Sequence, residues 1–179
     1  PFEFCTPAQV EPGLLDRTLT VNGVSKAYAM TGWRIGYAGG PREVIKAMKT
    51  IQSQITSNPS SISQVAAATA LDGDQSCIGE MVAAYKARSD YLVMALNEIP
   101  GFECREGEGA FYAFPRVTGA MQAKGIPDDA EFAKLLLNEA NVVVVPGTPF
   151  GAPGYIRLSF ACSIAELEKA VARISSALV

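Results

Sequence analysis

Two short apolar runs with strand character enclose a loop that carries one amine and one guanidinium. The runs are residues 18–24 and 35–38, and Lys26 and Arg34 are the charged residues between them. Largely apolar runs of this length predict strands of a sheet that is covered on both faces. Lys26 then falls just past the carboxyl end of a strand, where open α/β sheets place their ligands. The stretch therefore predicts a buried site for an anionic ligand that bears a carbonyl group.

The composition limits the chemistry that such a site can use. The 179 residues include no histidine, which removes Ser-His and Cys-His nucleophile pairs, imidazole metal sites and the commonest general acid or base. The four cysteines have no close pair, which argues against a zinc site or a disulfide framework and favours buried, reduced thiols in a cytoplasmic protein. Lysine, tyrosine or carboxylate side chains would therefore have to move the protons.

Charge and hydropathy exclude two classes of partner. The net charge of -3 and the pI near 5.0 give no electrostatic reason to expect nucleic acid. No apolar run approaches the roughly 20 residues that a membrane-spanning helix needs. The sequence predicts a globular protein that binds neither nucleic acid nor membrane.

Hydrophobic periodicity indicates two domains. Residues 1–17 have no sustained period and predict a surface connection or a partial helix. Pro41 starts a helix, and a long amphipathic helix is predicted over about 77–99. The apolar stripe of the first helix consists of Val44, Ile45, Met48, Ile51 and Ile55. Short strands are expected later, at 102–105, 110–115, 142–145 and 155–161. The predicted fold class is α/β, with one domain over residues 1–76 and another over residues 77–179.

Polar residues mark the starts of the last two helices. Asp128 and Asp129 can both cap the helix that carries the next apolar residues. Ser163 followed by Glu166 has the spacing of a capping box. Both helices are expected to pack against the late strands.

A second arginine lies in a cleanly alternating strand near the end of the chain. Ile156, Leu158 and Phe160 fall on one face of residues 155–161, and Arg157 falls on the other. A structural arginine on that face would contact a partner or solvent, whereas a functional arginine would bind an anion. The alternation by itself leaves both interpretations open.

The order of residues around Lys26 is distinctive. The run SKAYAMTGWRIGY places a lysine before an aromatic residue, a methionine, Gly-Trp-Arg, a glycine and a second aromatic residue. It closely resembles the lysine signature of fold-type I aminotransferases of the aspartate aminotransferase class, which depend on pyridoxal 5'-phosphate (PLP). Position alone would also fit a lysine that extends to solvent from a strand end.

The resemblance implies a role for each of the two charged residues in the loop. Lys26 would form the Schiff base with PLP and move the proton between the substrate and the cofactor. A buried amine holds its proton less tightly, which suits this role. Arg34 would bind the PLP phosphate, because its planar fork can hold two phosphate oxygens at once. Some relatives have a phosphate-binding serine at the position of Gly23, so this chain leaves the phosphate to Arg34 and to groups elsewhere.

Three further segments resemble the same family. YIRLSFA is similar to the strand whose arginine pairs with the substrate α-carboxylate, which implies that Arg157 binds substrate. TSNPSS, at 56–61, is similar to a segment that reaches the active site of the partner subunit, although a plain turn between helices is the alternative for Asn58 and Ser60. EGAFYAFP, at 108–115, and PGTPFG, at 146–151, match small-domain patterns, and their glycines are expected to form turns near the substrate.

The resemblance also implies the architecture and the function. The chain would be the end of the large PLP-binding domain plus a smaller α+β C-terminal domain, and its start at Pro1 suggests a C-terminal piece of a larger protein. A homodimeric parent would move an amino group from an amino acid, aspartate by family default, to a 2-oxo acid, and this piece alone would be inactive. The alternatives are another PLP-dependent enzyme of the lyase type and an aminotransferase-like ligand sensor of a transcription regulator.

Overall fold

The computed structural model describes residues 5–179 and divides them into two compact units. The first unit ends at Gly79, and the second comprises Glu80–Val179. Residues 1–4, where the predicted surface connection begins, lie outside the described residues. The domain boundary after residue 76 stays a prediction about the whole protein.

The first unit combines helices with a pair of strands. In chain order its elements are α1 (Pro7–Val10), a 3₁₀ helix (Pro12–Arg17), β1 (Thr20–Gly23), a 3₁₀ helix (Thr31–Trp33), β2 (Gly36–Gly39), α2 (Arg42–Ile55) and α3 (Ser61–Asp72). Strands β1 and β2 pair antiparallel, with Gly23 opposite Gly36. Helix α2 begins directly after Pro41, as predicted, because the first residues of a helix need no amide hydrogen.

The burial predicted for these strands is wrong for the described chain. Val21 in β1 is 71% exposed and Tyr37 in β2 is 42% exposed. The stripe of α2 is uncovered as well, and Ile55 at its end is 75% exposed. The physical reason is that β1 and β2 form a sheet of two strands, and no further strand within residues 5–179 extends it. Their apolar side chains therefore keep access to water.

Helix α4 (Ser76–Asn97) confirms the long helix that the sequence predicts over about 77–99. It begins before the division between the units and continues into the second. Its buried side chains lie near its end and are Leu92, Val93, Ala95 and Leu96. Within the described residues, no helix is long and apolar enough to cross a bilayer.

The second unit places helices around a small antiparallel sheet. After α4 its elements are β3 (Tyr112–Ala113), α5 (Thr118–Ala123), α6 (Asp129–Ala140), β4 (Val145–Pro146), a 3₁₀ helix (Thr148–Phe150), β5 (Ile156–Ser159) and α7 (Ile164–Leu178). The sheet has the order β3-β5-β4, so β5 is its middle strand.

A continuous apolar core fills the second unit. Helices α4, α6 and α7 and strand β5 contribute many of the side chains that are at most 1% exposed, including Leu92, Leu96, Phe132, Leu136, Ile156 and Ile174. In β5 the buried Ile156 and Leu158 flank Arg157, which confirms the alternation predicted for this strand. Arg157 is therefore held on the face of the sheet opposite the core.

The strands around β5 are shorter than predicted. In the segment 142–145 only Val145 joins the ladder, and Val143 is 79% exposed. The amide of Val142 instead donates to the Leu136 carbonyl oxygen at 3.1 Å, which closes the end of α6. In the segment 102–105 only Glu103 pairs, through an isolated bridge to Arg116.

The helix starts show which of the predicted caps form. Asp128 caps α6, since its Oδ1 accepts from the Glu131 amide at 2.8 Å. Ser163 caps α7 by accepting from the Glu166 amide at 3.3 Å. The side chain of Glu166 does not complete the capping box in the predicted way, because it forms an ion pair with Lys169 at 2.7 Å.

The cysteines are free but mostly not buried. Cys104 is buried, as expected, whereas Cys5, Cys77 and Cys162 are exposed. The expectation of buried thiols is therefore wrong for these three, which lie in exposed stretches that the second unit's core does not include.

Candidate active site

The loop between β1 and β2 carries both residues of the predicted cofactor site. Val24, which is fully buried, follows β1 and anchors the start of the loop. The chain then turns tightly, because the amide of Ala29 donates to the Lys26 carbonyl oxygen at 3.1 Å. The 3₁₀ helix Thr31–Trp33 follows, and Arg34 ends it just before β2. Lys26 and Arg34 thus belong to one short, folded connection.

Arg34 has an unusual backbone conformation. Its φ of 50° and ψ of 50° lie in the left-handed region, which a residue with a side chain adopts at a cost of about 1–3 kcal/mol. Its guanidinium Nη1 donates to the Thr31 carbonyl oxygen at 2.9 Å. This contact fixes one side of the planar fork and leaves the charge without a carboxylate partner within residues 5–179. A strained, oriented arginine with an uncompensated charge can bind an anion such as a phosphate.

Lys26 is exposed, which corrects the expectation of a buried amine. The cause is local, since the strands on both sides of the loop are exposed themselves. The aromatic side chains of Trp33 and Tyr37 nearby are uncovered too, at 43% and 42% exposed. The described residues therefore hold the amine on a folded loop but do not enclose it in a buried site.

A glutamine that the sequence reasoning missed holds the loop in place. The Tyr28 hydroxyl donates to Gln75 Oε1 at 2.7 Å. Gln75 Nε2 donates in turn to the carbonyl oxygens of Ala70 at 3.0 Å and Gly73 at 2.7 Å, at the end of α3. A contact across 47 positions leaves no local sequence signal, so only the folded chain reveals it.

Arg157 lies in the second unit, between aromatic rings. Its guanidinium carbon is 4.3 Å from the ring centre of Tyr112 and 4.6 Å from that of Phe150. Tyr112 comes from EGAFYAFP and Phe150 from PGTPFG, the two segments expected near the substrate. The structure thus brings these segments together around Arg157, through the pairing of β3 and β4 with β5.

The turn that carries Phe150 is held by a buried carboxylate. Asp129 is 2% exposed, and its two oxygens accept from the Thr148 amide and from Thr148 Oγ1, at 2.6 Å each. Burial opposes ionisation and would raise the pKa of Asp129, but the hydrogen bonds from Thr148 outweigh it and hold that pKa below its usual value. At Gly147 the backbone passes so close that an added Cβ would lie 2.3 Å from the Ala152 carbonyl oxygen. These contacts fix the turn against the start of α6.

The segment TSNPSS forms the link between α2 and α3, and Asn58 and Ser60 are exposed in it. Ser57 has a positive φ of 65°, which ends α2 sharply. Its predicted reach into the active site of a partner subunit stays a prediction.

Comparison with known proteins points to one family. The family model described as aminotransferase class I and II matches residues 3–174. The aspartate aminotransferase of Rhizobium meliloti (strain 1021) is 55% identical over 98% of this chain and 44% of that relative. The aspartate/prephenate aminotransferase of Nitrosomonas europaea is 53% identical over 93% of this chain and 44% of that relative. The chain therefore spans less than half the length of these relatives.

A solved structure agrees with these relatives. The crystal structure of the aspartate aminotransferase from Rhizobium meliloti matches with a TM-score of 0.93 and 54% identity, covering 99% of this chain and 46% of that chain. The likeness confirms the predicted fold class, the α/β fold of fold-type I transferases.

Proposed function

Because the chain belongs to the class I and II aminotransferase family, we propose that the whole protein transfers an amino group from an amino acid to a 2-oxo acid. The observation that carries the proposal is the loop in which Lys26 and Arg34 stand between β1 and β2. The two relatives described above support the proposal, because both are named as aminotransferases and are 53–55% identical to this chain. Such a protein would work by a ping-pong route, in which the first product leaves before the second substrate binds.

The residues of the loop fit PLP as the cofactor. The guanidinium of Arg34 is oriented by its hydrogen bond to Thr31 and has no carboxylate partner in the described chain. Such a group suits a phosphate dianion. Lys26 offers an amine on a folded turn, which suits a covalent attachment to the aldehyde of the cofactor. When bound, PLP withdraws electrons from the α-carbon of the amino acid. Lys26 Nζ would then take the proton from that carbon and deliver it to the cofactor.

Arg157 is proposed to bind the α-carboxylate of the substrate. Its fork geometry matches a carboxylate, and two parallel hydrogen bonds would fix both the position and the direction of the amino acid. Aspartate as amino donor is supported by the names of the relatives from Rhizobium meliloti and Nitrosomonas europaea. A dicarboxylate substrate also needs a cation for its second carboxylate.

The exposed apolar faces of α2 and α3 support a larger assembly. Ile55 in α2 is 75% exposed, and Ile62 and Val65 in α3 are 72% and 67% exposed. Apolar surface of this kind marks an interface, and its cover is proposed to come from the rest of a longer chain and from a second copy in a homodimer. Without that cover Lys26 stays exposed, so we expect the 179-residue chain alone to be inactive. The free cysteines support a reducing, cytoplasmic location.

Borohydride reduction tests the assignment of Lys26. The PLP-loaded whole protein is reduced and digested, and the peptides are mapped for the pyridoxyl label. We expect the label on Lys26 and its loss in Lys26→Ala, while Lys46→Ala, which removes an exposed lysine of α2, keeps the label and the activity. A label on any other lysine would refute the site, and a labelled protein that does not move amino groups to 2-oxoglutarate would refute the reaction.

A further inference from the structure

The surroundings of Arg157 are chemically unusual for a half-buried cation. Within residues 5–179 its guanidinium lies over the rings of Tyr112 and Phe150, and no carboxylate or hydrogen-bond acceptor pairs with it. Arg116, close by in the same unit, shows the ordinary arrangement. Its Nε donates to Thr118 Oγ1 at 2.9 Å, and its Nη2 is 3.3 Å from Glu103.

Aromatic rings hold a guanidinium without engaging its hydrogen-bond donors. The attraction acts between the cation and the electron-rich face of the ring. The five N–H donors of Arg157 therefore stay available, and its charge is not neutralised. An arginine that is held in this way is restricted in position and still able to bind a carboxylate through both arms of its fork.

Separate parts of the second unit fix the two rings. Tyr112 belongs to β3 and pairs with Ser159 of β5. Phe150 belongs to the turn that Asp129 holds through Thr148. Phe150 also contacts Phe114 edge to face, with ring centres 6.1 Å apart. Because neither ring depends on Arg157 for its own anchoring, each can impose a position on the arginine.

We propose that Tyr112 and Phe150 form an aromatic clamp that positions Arg157 for the carboxylate of the substrate. The inference rests on the proposed function, in which Arg157 is the carboxylate-binding group. Tyr112 and Phe150 are positioning residues, since they act through Arg157. Their removal should weaken carboxylate binding and raise KM, while kcat changes little.

The test measures carboxylate affinity in the PLP-loaded whole protein. Succinate, an unreactive dicarboxylate, is titrated by calorimetry against the wild type, Phe150→Leu and Tyr112→Leu. We expect about fivefold weaker binding in each variant, the effect of one cation–π contact. Phe150→Tyr and Tyr112→Phe keep the ring and should bind succinate as the wild type does.

Tyr91→Leu is the matched control. Tyr91 is a half-buried aromatic residue of α4 in the same unit, and its ring contacts none of Arg157, Tyr112 and Phe150. Its replacement should change succinate affinity by less than about twofold. Equal weakening in the control, or an unchanged affinity in folded Phe150→Leu and Tyr112→Leu, would overturn the clamp.

Arg157→Gln separates this inference from the proposed function. If it abolishes succinate binding while the clamp variants bind normally, the clamp alone is wrong and the role of Arg157 stands. If it leaves succinate binding unchanged, both the role of Arg157 and the clamp are wrong. A wild-type protein that binds PLP but transfers no amino group would instead refute the proposed function.

Discussion

Two adjacent aspartates at the start of α6 should respond very differently to replacement. Asp128 caps the helix on the surface, and loss of such a cap costs about 1 kcal/mol. Asp129 is buried and accepts two hydrogen bonds of 2.6 Å from Thr148. Each hydrogen bond to a charged group contributes about 1.5–3 kcal/mol, and Asp129→Ala removes the acceptor of both Thr148 donors. We expect Asp129→Ala to lower the free energy of unfolding by about 3–5 kcal/mol.

Acid should remove the contribution of Asp129. Its pKa in the folded protein lies below the usual value of 3.8, so the stabilisation is fully present above that pH. It is lost as the pH falls through the lower, folded-state pKa. Asp129→Asn keeps the shape of the side chain but cannot ionise. We therefore expect its deficit in stability, relative to the wild type, to shrink below pH 3.8.

Urea denaturation followed by far-ultraviolet circular dichroism measures these differences. Asp128→Ala is the matched control, because it removes a neighbouring carboxylate of the same helix. Fluorescence of Trp33, the single tryptophan, reports separately on the first unit. Equal losses in the two alanine variants, or a loss of about 1 kcal/mol in Asp129→Ala, would refute the argument that the buried carboxylate holds the turn.

Two other replacements test backbone packing and anion binding. Gly119→Ala would place a Cβ 2.7 Å from the Gly101 Cα, so we expect the free energy of unfolding, measured by thermal denaturation, to fall by more than about 2 kcal/mol. In the control Gly109→Ala the added Cβ meets no atom within 4 Å, and the free energy of unfolding should change by less than about 0.5 kcal/mol. Arg34→Lys keeps the charge but removes the planar fork, and absorbance titration of the whole protein should show about tenfold weaker PLP binding; unchanged affinity would contradict the phosphate role.

Local periodicity predicts the face on which a residue lies better than it predicts what covers that face. In β5 the alternation places Ile156 in the core and Arg157 opposite, as expected. The stripe of α2 has an equally clear period, yet Ile55 at its end is 75% exposed. The period is a property of the helix itself, whereas burial depends on elements that are distant in sequence. The same cause explains why Lys26 was expected to be buried and is exposed in the described chain.

The roles of Asp128 and Asp129 also show where sequence reasoning ends. Both residues fit a helix cap, and a helix start has room for one cap residue, which is Asp128. The partner of Asp129 is Thr148, at a separation of 19 positions, and no local pattern indicates that contact. A long-range hydrogen bond of this kind can be found only after the helix and the turn are placed together.

Arg34 and Arg157, the two arginines proposed to bind anions, share one physical feature that separates them from cations paired on the surface. Lys134 pairs with Glu131 at 2.6 Å on the exposed face of α6, an arrangement that stabilises by at most about 1 kcal/mol and neutralises the charge. Arg34 instead donates to a backbone carbonyl oxygen, and Arg157 lies over aromatic rings. Neither kind of partner is negatively charged, so each guanidinium is oriented while its full charge remains. When a phosphate or carboxylate binds, no existing ion pair has to be broken, and the guanidinium is already oriented. Both features favour tight and directional binding of anions.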